Sequence, residues 1–411
     1  MAKLALAGGE PVRTAPFPQW PVIGPEEREG LLSVFDSGKW WFGEKVHEFE
    51  QAFAQFQDAR FGAACATGSA SLEMGLFACG IGPGDEVIVP AYTFVATPNS
   101  VLQVNAIPVF ADVEVDTANL DLADVARKIT PRTKAIMPVH FAGLPVDMDA
   151  LAVLAVEHGL KIVEDACHSW GSKWKGKGTG ALGHCGGFSF QISKNITSGE
   201  GGILLSDDED IATAAANYAN YGRESGKGFY DHFTPGTNYR MTELQAAILL
   251  GQLTRLEQQT LKRQDNAALL DEALRDVPGL APMRSDSRVT RRSYHMYNFL
   301  FAPDAWDGVT RDRFIETLVA EGIPAGHEYP HPLYRNPLFQ RAKEQGPGFC
   351  PWSCPFYGEA VDYTQVNCPG AERLCREAVW IGHPVLLGDE GDMQDIIAAI
   401  RKVRDHRKEL L

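Results

Sequence analysis

The sequence lacks the features that mark several large classes of protein. No apolar run approaches the roughly 20 residues that a membrane-spanning helix needs, and the first residues, MAKLALAGGEPVRTAPFP, lack the long apolar core of a signal peptide. The net charge of −15 disfavours nucleic-acid binding, which calls for a sustained basic patch. We therefore expect a cytoplasmic protein without nucleic-acid or membrane partners.

Two motifs of ligand sites are also missing. The P-loop element GK[ST] does not occur in the chain. Four of the eight cysteines cluster in a proline-rich segment, but their spacings, C-x3-C and then C-x6-C, are not those of a standard zinc site. We therefore predict no metal site and interpret this group as loop cysteines: Cys350, Cys354, Cys368 and Cys375.

The composition is that of a globular chain with ample material for a core. Of the 411 residues, 45% are hydrophobic and 22% are charged. The length predicts two or three domains. We expect a large domain with an N-terminal arm at residues 1–257 and a smaller α+β domain at residues 258–411, which contains the strand-like YHMYNFLF and a terminal amphipathic helix.

Strand-like and helix-like segments alternate between residues 59 and 206. The pattern predicts helices at about 70–79, 95–105, 121–128 and 148–158, and strands at Phe61–Ala66, Glu86–Val89, Pro108–Ala111, Lys134–Val139 and Lys161–Glu164. Repeated β-α units predict an α/β fold with a mostly parallel central sheet between helices. In such folds ligands bind beyond the carboxyl ends of the strands.

One lysine lies between two apolar runs. In GGFSFQISKNITSGEGGILLS, residues 186–206, the runs 187–192 and 202–205 predict two strands, with Lys194 at or just beyond the end of the first. Small residues around Lys194 would let a bulky ligand approach its ammonium group. Taken alone, the pattern also fits an exposed loop lysine, since lysines usually lie on surfaces.

Four further features fall at predicted strand ends. In TGSASLEMGL, the N–H groups at Gly68 and Ser69 suit a phosphate at a helix N-terminus, although most such turns are only turns. In KIVEDACHSWG, Asp165 follows a strand, where a carboxylate needs a cationic partner or hydrogen bonds. PAYTFVAT places Tyr92 and Phe94 at the same rim, where an aromatic ring could equally cover the core. The fourth feature is Ser189, which alternation places on the same side of its strand as Gly187 and Gln191.

Together these residues meet the needs of pyridoxal phosphate. A lysine can form an imine with the aldehyde, a carboxylate can keep the pyridine nitrogen protonated, and an aromatic ring can stack on the cofactor. Backbone amides and hydroxyl groups can hold the phosphate. The chain resembles the DegT/StrS family of PLP-dependent sugar aminotransferases from about residue 8 to 405, and the similar segments occur in family order: GGEPVR, PAYTFVAT, VEDACHSWG, FSFQISKNITSGEGG and TNYRMTELQAAI.

The resemblance implies a fold and a role for each site residue. The fold is the PLP-dependent transferase fold type I, and Lys194 resembles the Schiff-base lysine. Asp165 resembles the partner of the pyridine nitrogen, and His168 the residue at the cofactor's 3-hydroxyl. Phe94, rather than Tyr92, resembles the stacking aromatic.

The resemblance also implies a shared phosphate site. Gly68, Ser69 and Ser189 resemble the residues that hold the phosphate, and TGS at 67–69 departs from the NGT of many members while keeping the donors. Asn238 resembles the asparagine that reaches the phosphate of the neighbouring subunit. A homodimer with shared active sites is therefore implied.

The implied reaction is a ping-pong transamination from glutamate or glutamine to a keto-sugar or keto-cyclitol. TNYRMTE and AVWIGHPVLLGDEGDM look more like members that act on inosose-type cyclitols or antibiotic precursors. A nucleotide-linked keto-sugar aminotransferase for cell-surface glycans remains the alternative. A PLP-dependent sugar dehydratase would have histidine in place of Lys194, and a non-catalytic regulator would need a partner-binding element.

Further histidines and arginines have open roles at this level. His327, His331 and His383 would approach the substrate or be hydrogen-bonded loop histidines. Arg291, Arg292 and Arg335 could bind a diphosphate or a donor carboxylate, or be solvated surface residues: nothing in the sequence decides between these roles.

Overall fold

A computed structural model describes residues 3–344 and 350–411 of the chain. Its strands, numbered along the chain, are β1 (Phe61–Cys65), β2 (Glu86–Pro90), β3 (Ile107–Ala111), β4 (Thr133–Ile136), β5 (Lys161–Asp165), β6 (Lys173–Trp174), β7 (Lys177–Gly178), β8 (Cys185–Ser189), β9 (Gly202–Ser206), β10 (Leu280–Pro282), β11 (Val289–Arg291), β12 (Met296–Phe301), β13 (Ala325–Gly326) and β14 (Ala378–Gly382).

The α-helices of the described residues lie mostly between these strands. They are α1 (Pro25–Ser37), α2 (Glu44–Phe56), α3 (Gly68–Ala78), α4 (Ala96–Gln103), α5 (Leu122–Lys128), α6 (Met148–His158), α7 (Glu209–Ala219), α8 (Glu243–Arg275), α9 (Arg311–Ala320), α10 (Pro337–Gln340), α11 (Pro369–Glu377) and α12 (Glu390–Asp405). No helix of the described residues is long and apolar enough to cross a membrane.

A seven-stranded sheet forms the centre of the molecule. Its strand order is β1-β9-β8-β5-β4-β2-β3. Six of the strands run in one direction, and β9 runs in the opposite direction. Because β2, β5 and β8 are parallel, their carboxyl ends lie at one edge of the sheet. The predicted α/β fold with a mostly parallel central sheet is confirmed, and this edge is where the ligand site is expected.

Two predicted strands end three residues earlier than the sequence pattern suggested. The strand predicted to reach Val139 ends at Ile136, because Pro138 has no N–H for the ladder and Val139 forms only an isolated bridge with Asp165. The strand predicted to reach Ile192 ends at Ser189. Thr197 Oγ1 and Ser198 N donate to the Phe190 carbonyl, so the chain turns away from the sheet before Lys194.

The C-terminal part of the chain adds a smaller antiparallel sheet. Its strand order is β10-β12-β14-β13, and its apolar face packs against α9, α12 and the last turns of α8. Leu270 and Leu274 of α8 lie in this core, whereas Leu249 and Leu256 pack with the helices of the large sheet. The inward face predicted for α12 is buried as expected: Met393, Ile396, Ile397, Ile400 and Val403.

The predicted domain boundary at residue 257 falls inside one continuous helix. Helix α8 runs for 33 residues, and Thr242 caps its first turn by accepting from the Gln245 N–H. The same helix therefore belongs to both cores. The division into residues 1–257 and 258–411 stays a prediction.

Candidate active site

A cavity of about 1210 Å³ opens at the carboxyl edge of the large sheet. Its floor comes from the ends of β5 and β8 and from the start of α3, and its walls come from the C-terminal part of the chain. Seven of the eight residues predicted for the site line this one cavity: Gly68, Ser69, Phe94, Asp165, His168, Ser189 and Lys194.

The start of α3 and the end of β8 meet closely at the bottom of the cavity. A Cβ atom on Gly68 would lie 2.5 Å from the Ser189 Cβ, so only glycine fits there. Thr67 caps the helix by accepting from the Ala70 N–H at 3.1 Å. The N–H groups of Gly68 and Ser69 belong to the first turn and have no intrahelical partner. With the Ser189 hydroxyl beside them, they form an anion-binding corner.

Asp165 is a buried carboxylate at the end of β5. It is 5% exposed, and its Oδ2 accepts from the Thr97 hydroxyl at 2.7 Å while its Oδ1 accepts from the Cys167 N–H at 3.1 Å. Thr93 forms a hydrogen bond to Thr97 at 3.0 Å, which orders that hydroxyl. Sequence reasoning missed Thr97, although it is the last residue of the PAYTFVAT segment.

His168 is buried and only partly satisfied. Its Nδ1 has no hydrogen-bond partner in the described structure, although the ring lines the cavity. Burial, together with the nearby Lys194 ammonium, holds the pKa of His168 well below its usual 6.5. The imidazole is therefore neutral and has a nitrogen available to a polar ligand group.

The Lys194 amine faces this floor from the loop after β8. Burial lowers its pKa, and the nearby carboxylates of Asp165 and Glu328 only partly oppose this effect. Its Nζ lies 5.8 Å from the centre of the buried Trp170 ring, whose N–H donates to the Ser189 carbonyl at 3.0 Å. A desolvated lysine with a lowered pKa can act as a base or a nucleophile.

The two aromatic candidates are in different environments. Phe94 is 57% exposed and lines the cavity. Tyr92 is 2% exposed and packs in the core against Phe141 and Tyr329, at 5.1 Å from each ring. The geometry thus leaves Phe94 available to a ligand and gives Tyr92 the core-covering role.

Asn238 lies away from the cavity of its own chain. It is exposed and pairs with Asn220 in an isolated bridge. Around it, the surface carries exposed aromatic side chains: Trp40, Trp41, Phe229, Tyr230 and Phe233. Its predicted role at a neighbouring subunit's phosphate stays a prediction.

The further histidines divide between the cavity and the surface. His327 and His383 line the cavity, whereas His331 is exposed outside it. His383 is also hydrogen-bonded, because its Nε2 lies 3.0 Å from the Ser193 carbonyl. His295, which the sequence did not single out, lies between His168 and His383, with ring centres 4.5 Å and 5.7 Å away.

The cavity contains few basic groups. Among the described residues that line it, Lys194 is the only lysine or arginine, and three carboxylates are present: Asp165, Glu200 and Glu328. Arg291 bonds to the Gly171 carbonyl and Glu257, Arg292 to Asn298, and Arg335 to Glu372. None of these three arginines lines the cavity, so their suggested role in binding a diphosphate is not supported on this chain.

Comparisons with known proteins agree on one family. The sequence profile of the DegT/DnrJ/EryC1/StrS aminotransferase family matches residues 21–361. A putative L-glutamine:3-amino-2,3-dideoxy-scyllo-inosose aminotransferase of Micromonospora echinospora is 39% identical, over 98% of this chain and 97% of the relative. An L-glutamine:2-deoxy-scyllo-inosose aminotransferase of the same organism is 37% identical over 100% of both chains.

The fold has solved counterparts. The crystal structure of 3-amino-5-hydroxybenzoic acid synthase superposes with a TM-score of 0.85 at 33% identity, over 95% of this chain and 99% of the other.

Proposed function

Given that the chain belongs to the DegT/DnrJ/EryC1/StrS aminotransferase family, we propose that it uses pyridoxal phosphate to move the amino group of glutamine to a keto-cyclitol of the scyllo-inosose type. The observation that carries this proposal is the Lys194 amine of lowered pKa, which shares one cavity with the Asp165 carboxylate and the anion-binding corner at Gly68. The chain is an aminotransferase by its family, and the cofactor and substrates are the proposal.

The residues of the cavity fit the cofactor. The corner of Gly68, Ser69 and Ser189 would hold the phosphate, and Asp165 would hold the ring nitrogen. His168 has an unpartnered Nδ1, which supports a hydrogen bond from this residue to the ring hydroxyl. Phe94 offers an exposed ring face. A bound cofactor would thus give a partner to the buried His168 Nδ1, which the described structure leaves unsatisfied.

The cofactor, when bound, supplies a ring that accepts the electron pair released as the amino donor loses its α-proton. Lys194 contributes an amine that can take that proton at Nζ and return it elsewhere, because burial lowers its pKa and so favours the neutral form. Asp165 keeps its charge oriented through Thr97 and the Cys167 N–H. The buried Trp170 shields one side of the lysine from water.

The charge of the cavity favours a cyclitol over a nucleotide-linked sugar. A diphosphate is usually bound by arginine or lysine, and the described lining offers only Lys194, which the chemistry needs. Carboxylates and histidines instead suit hydroxyl and amino groups: Glu328, Glu200, His327 and His295. An amino-bearing or polyhydroxylated ring is the acceptor class that these groups match.

A two-step spectroscopic experiment tests the proposed function. The purified protein should show a visible absorbance band that borohydride removes and that Lys194→Ala lacks. Glutamine should convert this spectrum to that of the aminated cofactor, and 2-deoxy-scyllo-inosose or its 3-amino derivative should restore it. Absence of the band would refute the proposal that the protein uses pyridoxal phosphate. If only a nucleotide-linked keto-sugar restored the starting spectrum, the proposal of a cyclitol acceptor would be refuted.

We also propose that two copies of the chain share their active sites. Asn238 is exposed and outside its own cavity, and the aromatic surface around it is costly to leave in water. Arg240 lies over Trp41 at 5.2 Å, and Tyr230 is 84% exposed, which is typical of interface side chains.

A mixed-subunit experiment tests the dimer. Lys194→Ala and Asn238→Ala chains, each poorly active alone, should regain activity when unfolded and refolded together, because one site of the mixed dimer receives both native residues. Wild-type chains refolded with the double variant provide the control. A monomer in sedimentation, or a mixture without any regained activity, would contradict shared sites.

A further inference from the structure

Both neighbours of Lys194 in the chain are bound by histidines from the C-terminal part. His383 Nε2 lies 3.0 Å from the carbonyl of Ser193, and His295 Nδ1 lies 3.1 Å from Oδ1 of Asn195. Lys194 therefore stands on a short loop that is tied on each side to another element. Ser193 is exposed whereas Asn195 is 1% exposed, so on the Ser193 side the hydrogen bond to His383, rather than burial, holds the loop.

Arg263 of α8 decides which tautomer His383 adopts. Its Nη2 lies 3.2 Å from His383 Nδ1, and a guanidinium can only donate, so Nδ1 must accept. The proton of the neutral imidazole is then on Nε2, where it donates to the Ser193 carbonyl. Burial, and next the charge of Arg263, hold the pKa of His383 well below its usual value, with Lys194 adding to the effect. The imidazole is therefore neutral at physiological pH, and the hydrogen bond from its Nε2 to the Ser193 carbonyl stays intact.

The direction of the second hydrogen bond, between His295 and Asn195, is fixed in the same way. Asn195 Nδ2 donates to the Ser293 carbonyl at 3.0 Å, so the amide oxygen faces His295 and accepts from its Nδ1. The His295 and His383 rings stack with an interplanar angle of 27°. The two links thus support each other, and neither imidazole can be protonated without placing a cation beside Lys194 or Arg263.

Arg263 is an unusual residue to bury. Its side chain is 0% exposed, and within residues 3–344 and 350–411 it forms no ion pair, while Nε and Nη1 have no hydrogen-bond partner. Burying a charge without a counter-ion is destabilising, and an apolar side chain of similar length would fill the same space more favourably. Packing alone therefore does not account for an arginine at this position.

We propose that Arg263 is a positioning residue for Lys194, which acts by fixing the His383 tautomer that holds the Ser193 carbonyl. The inference rests on the proposed function insofar as Lys194 is the reactive amine. Arg263 itself does not line the cavity and touches no reacting group. Its contribution is to hold the loop so that the amine stays desolvated above the cavity floor.

The first experiment separates positioning from folding. Arg263→Met should lower kcat about tenfold, because small misplacements of a catalytic group are costly, and change KM for glutamine by less than about twofold. Its melting temperature should stay equal or rise, because a buried unpaired charge is removed. Arg401→Met, on the exposed side of α12, is the matched control and should change neither. A variant that loses stability and activity together, or keeps full kcat, would refute the proposal.

The second experiment reads Lys194 directly and does not depend on the cofactor. In cofactor-free protein, the pH profile of lysine acylation at Lys194, followed by peptide mass spectrometry, should shift to higher pH in Arg263→Met, since a freed loop resolvates the amine. An unshifted profile would refute positioning. Because this readout needs no bound cofactor, its failure is distinguishable from a failure of the proposed function.

Two isosteric variants of His383 test the direction of the link. In His383→Gln the amide nitrogen can reach the place of Nε2 and still donate to Ser193, whereas in His383→Asn it cannot. The glutamine variant should therefore keep most of kcat and the wild-type acylation profile, and the asparagine variant should resemble Arg263→Met. Equal behaviour of the two variants would contradict the assigned tautomer.

Discussion

The floor and the wall of the cavity are built in different ways. The floor, defined as Gly68, Ser69, Asp165, His168 and Ser189, comes from strand ends and one helix start of the large sheet. The wall, defined as His295, His327, Glu328, Tyr329, Trp380 and His383, comes from segments spread over the last third of the chain. The floor is fixed by backbone geometry, while the wall depends on side chains packed across long sequence separations.

This difference assigns the two sides different tasks. A floor made of parallel strand ends is rigid and suits a group that is the same in every turnover. A wall of side chains on loops and on a separate small sheet can vary without disturbing that floor. We therefore expect floor substitutions to affect both halves of the reaction. Wall substitutions should affect mainly the acceptor half, except at His295 and His383, which hold the Lys194 loop.

The largest effect is expected at the lysine between floor and wall. Lys194→Ala should lower kcat by about ten-thousandfold in both half-reactions, because the proposed proton carrier is removed. Stopped-flow absorbance with glutamine, and then with the ketone, measures each half separately. Lys39→Ala, on an exposed loop, serves as the control. A half-reaction that survives in Lys194→Ala would assign the proton transfer to another group.

A smaller loss is expected for the carboxylate of the floor. Asp165→Asn keeps the shape and the Thr97 hydrogen bond but removes the charge, and should lower kcat roughly a thousandfold. Thr97→Val removes only one of the two hydrogen bonds to Asp165 and should cost about tenfold. Steady-state rates with the cofactor saturating check this order. Equal losses of kcat in the two variants would mean that Thr97 positions other groups besides the Asp165 carboxylate.

A wall substitution should separate the acceptors. Glu328→Gln should raise KM for the 3-amino cyclitol about tenfold, since a carboxylate pairs with an ammonium group, and affect 2-deoxy-scyllo-inosose far less. The glutamine half-reaction should stay within about twofold, because the floor is untouched. If glutamine turnover falls as much as acceptor turnover, the division into floor and wall fails.

The last prediction concerns stability at acidic pH rather than activity. His168, His295 and His383 have pKa values held well below the usual 6.5 by burial, so the unfolded chain binds protons there that the folded chain does not. Their contribution to the free energy of unfolding is present above that pH and is lost as the pH falls below it. The three histidines together steepen the decline of this free energy by up to about 4 kcal/mol per pH unit. Urea unfolding across this range measures the slope. His383→Gln should reduce it, and exposed His331→Gln should not.

The sequence anticipated the floor far better than the wall. Lys194 and Asp165 each follow a short apolar run, Ser189 lies in the alternating pattern of a predicted strand, and the small residues at 67–69 precede a helix, so each had a local signal. Thr97 lay inside a segment already singled out, but its contact with Asp165 crosses 68 positions and no local pattern reports it. His295 and Arg263 carried no signal, because their roles exist only once β12, β14 and α8 are packed together.

The strand ends also show where periodicity misleads. The predicted strand through Ile192 continued an alternating pattern, yet the chain leaves the sheet after Ser189 because loop hydroxyl and amide groups bind the Phe190 carbonyl. That early exit lets Lys194 stand on a loop that histidines can hold from outside the sheet.

By itself, the sequence determined the α/β architecture and the residues of the floor, since strand and helix periods and the residues at strand ends are properties of neighbours in the chain. Only the tertiary structure decided that no arginine lines the cavity in the described chain, and that Arg263 and His383 hold the Lys194 loop. The physical reason is that burial, tautomer and charge environment are set by contacts between side chains more than a hundred residues apart, such as the 120 positions between Arg263 and His383.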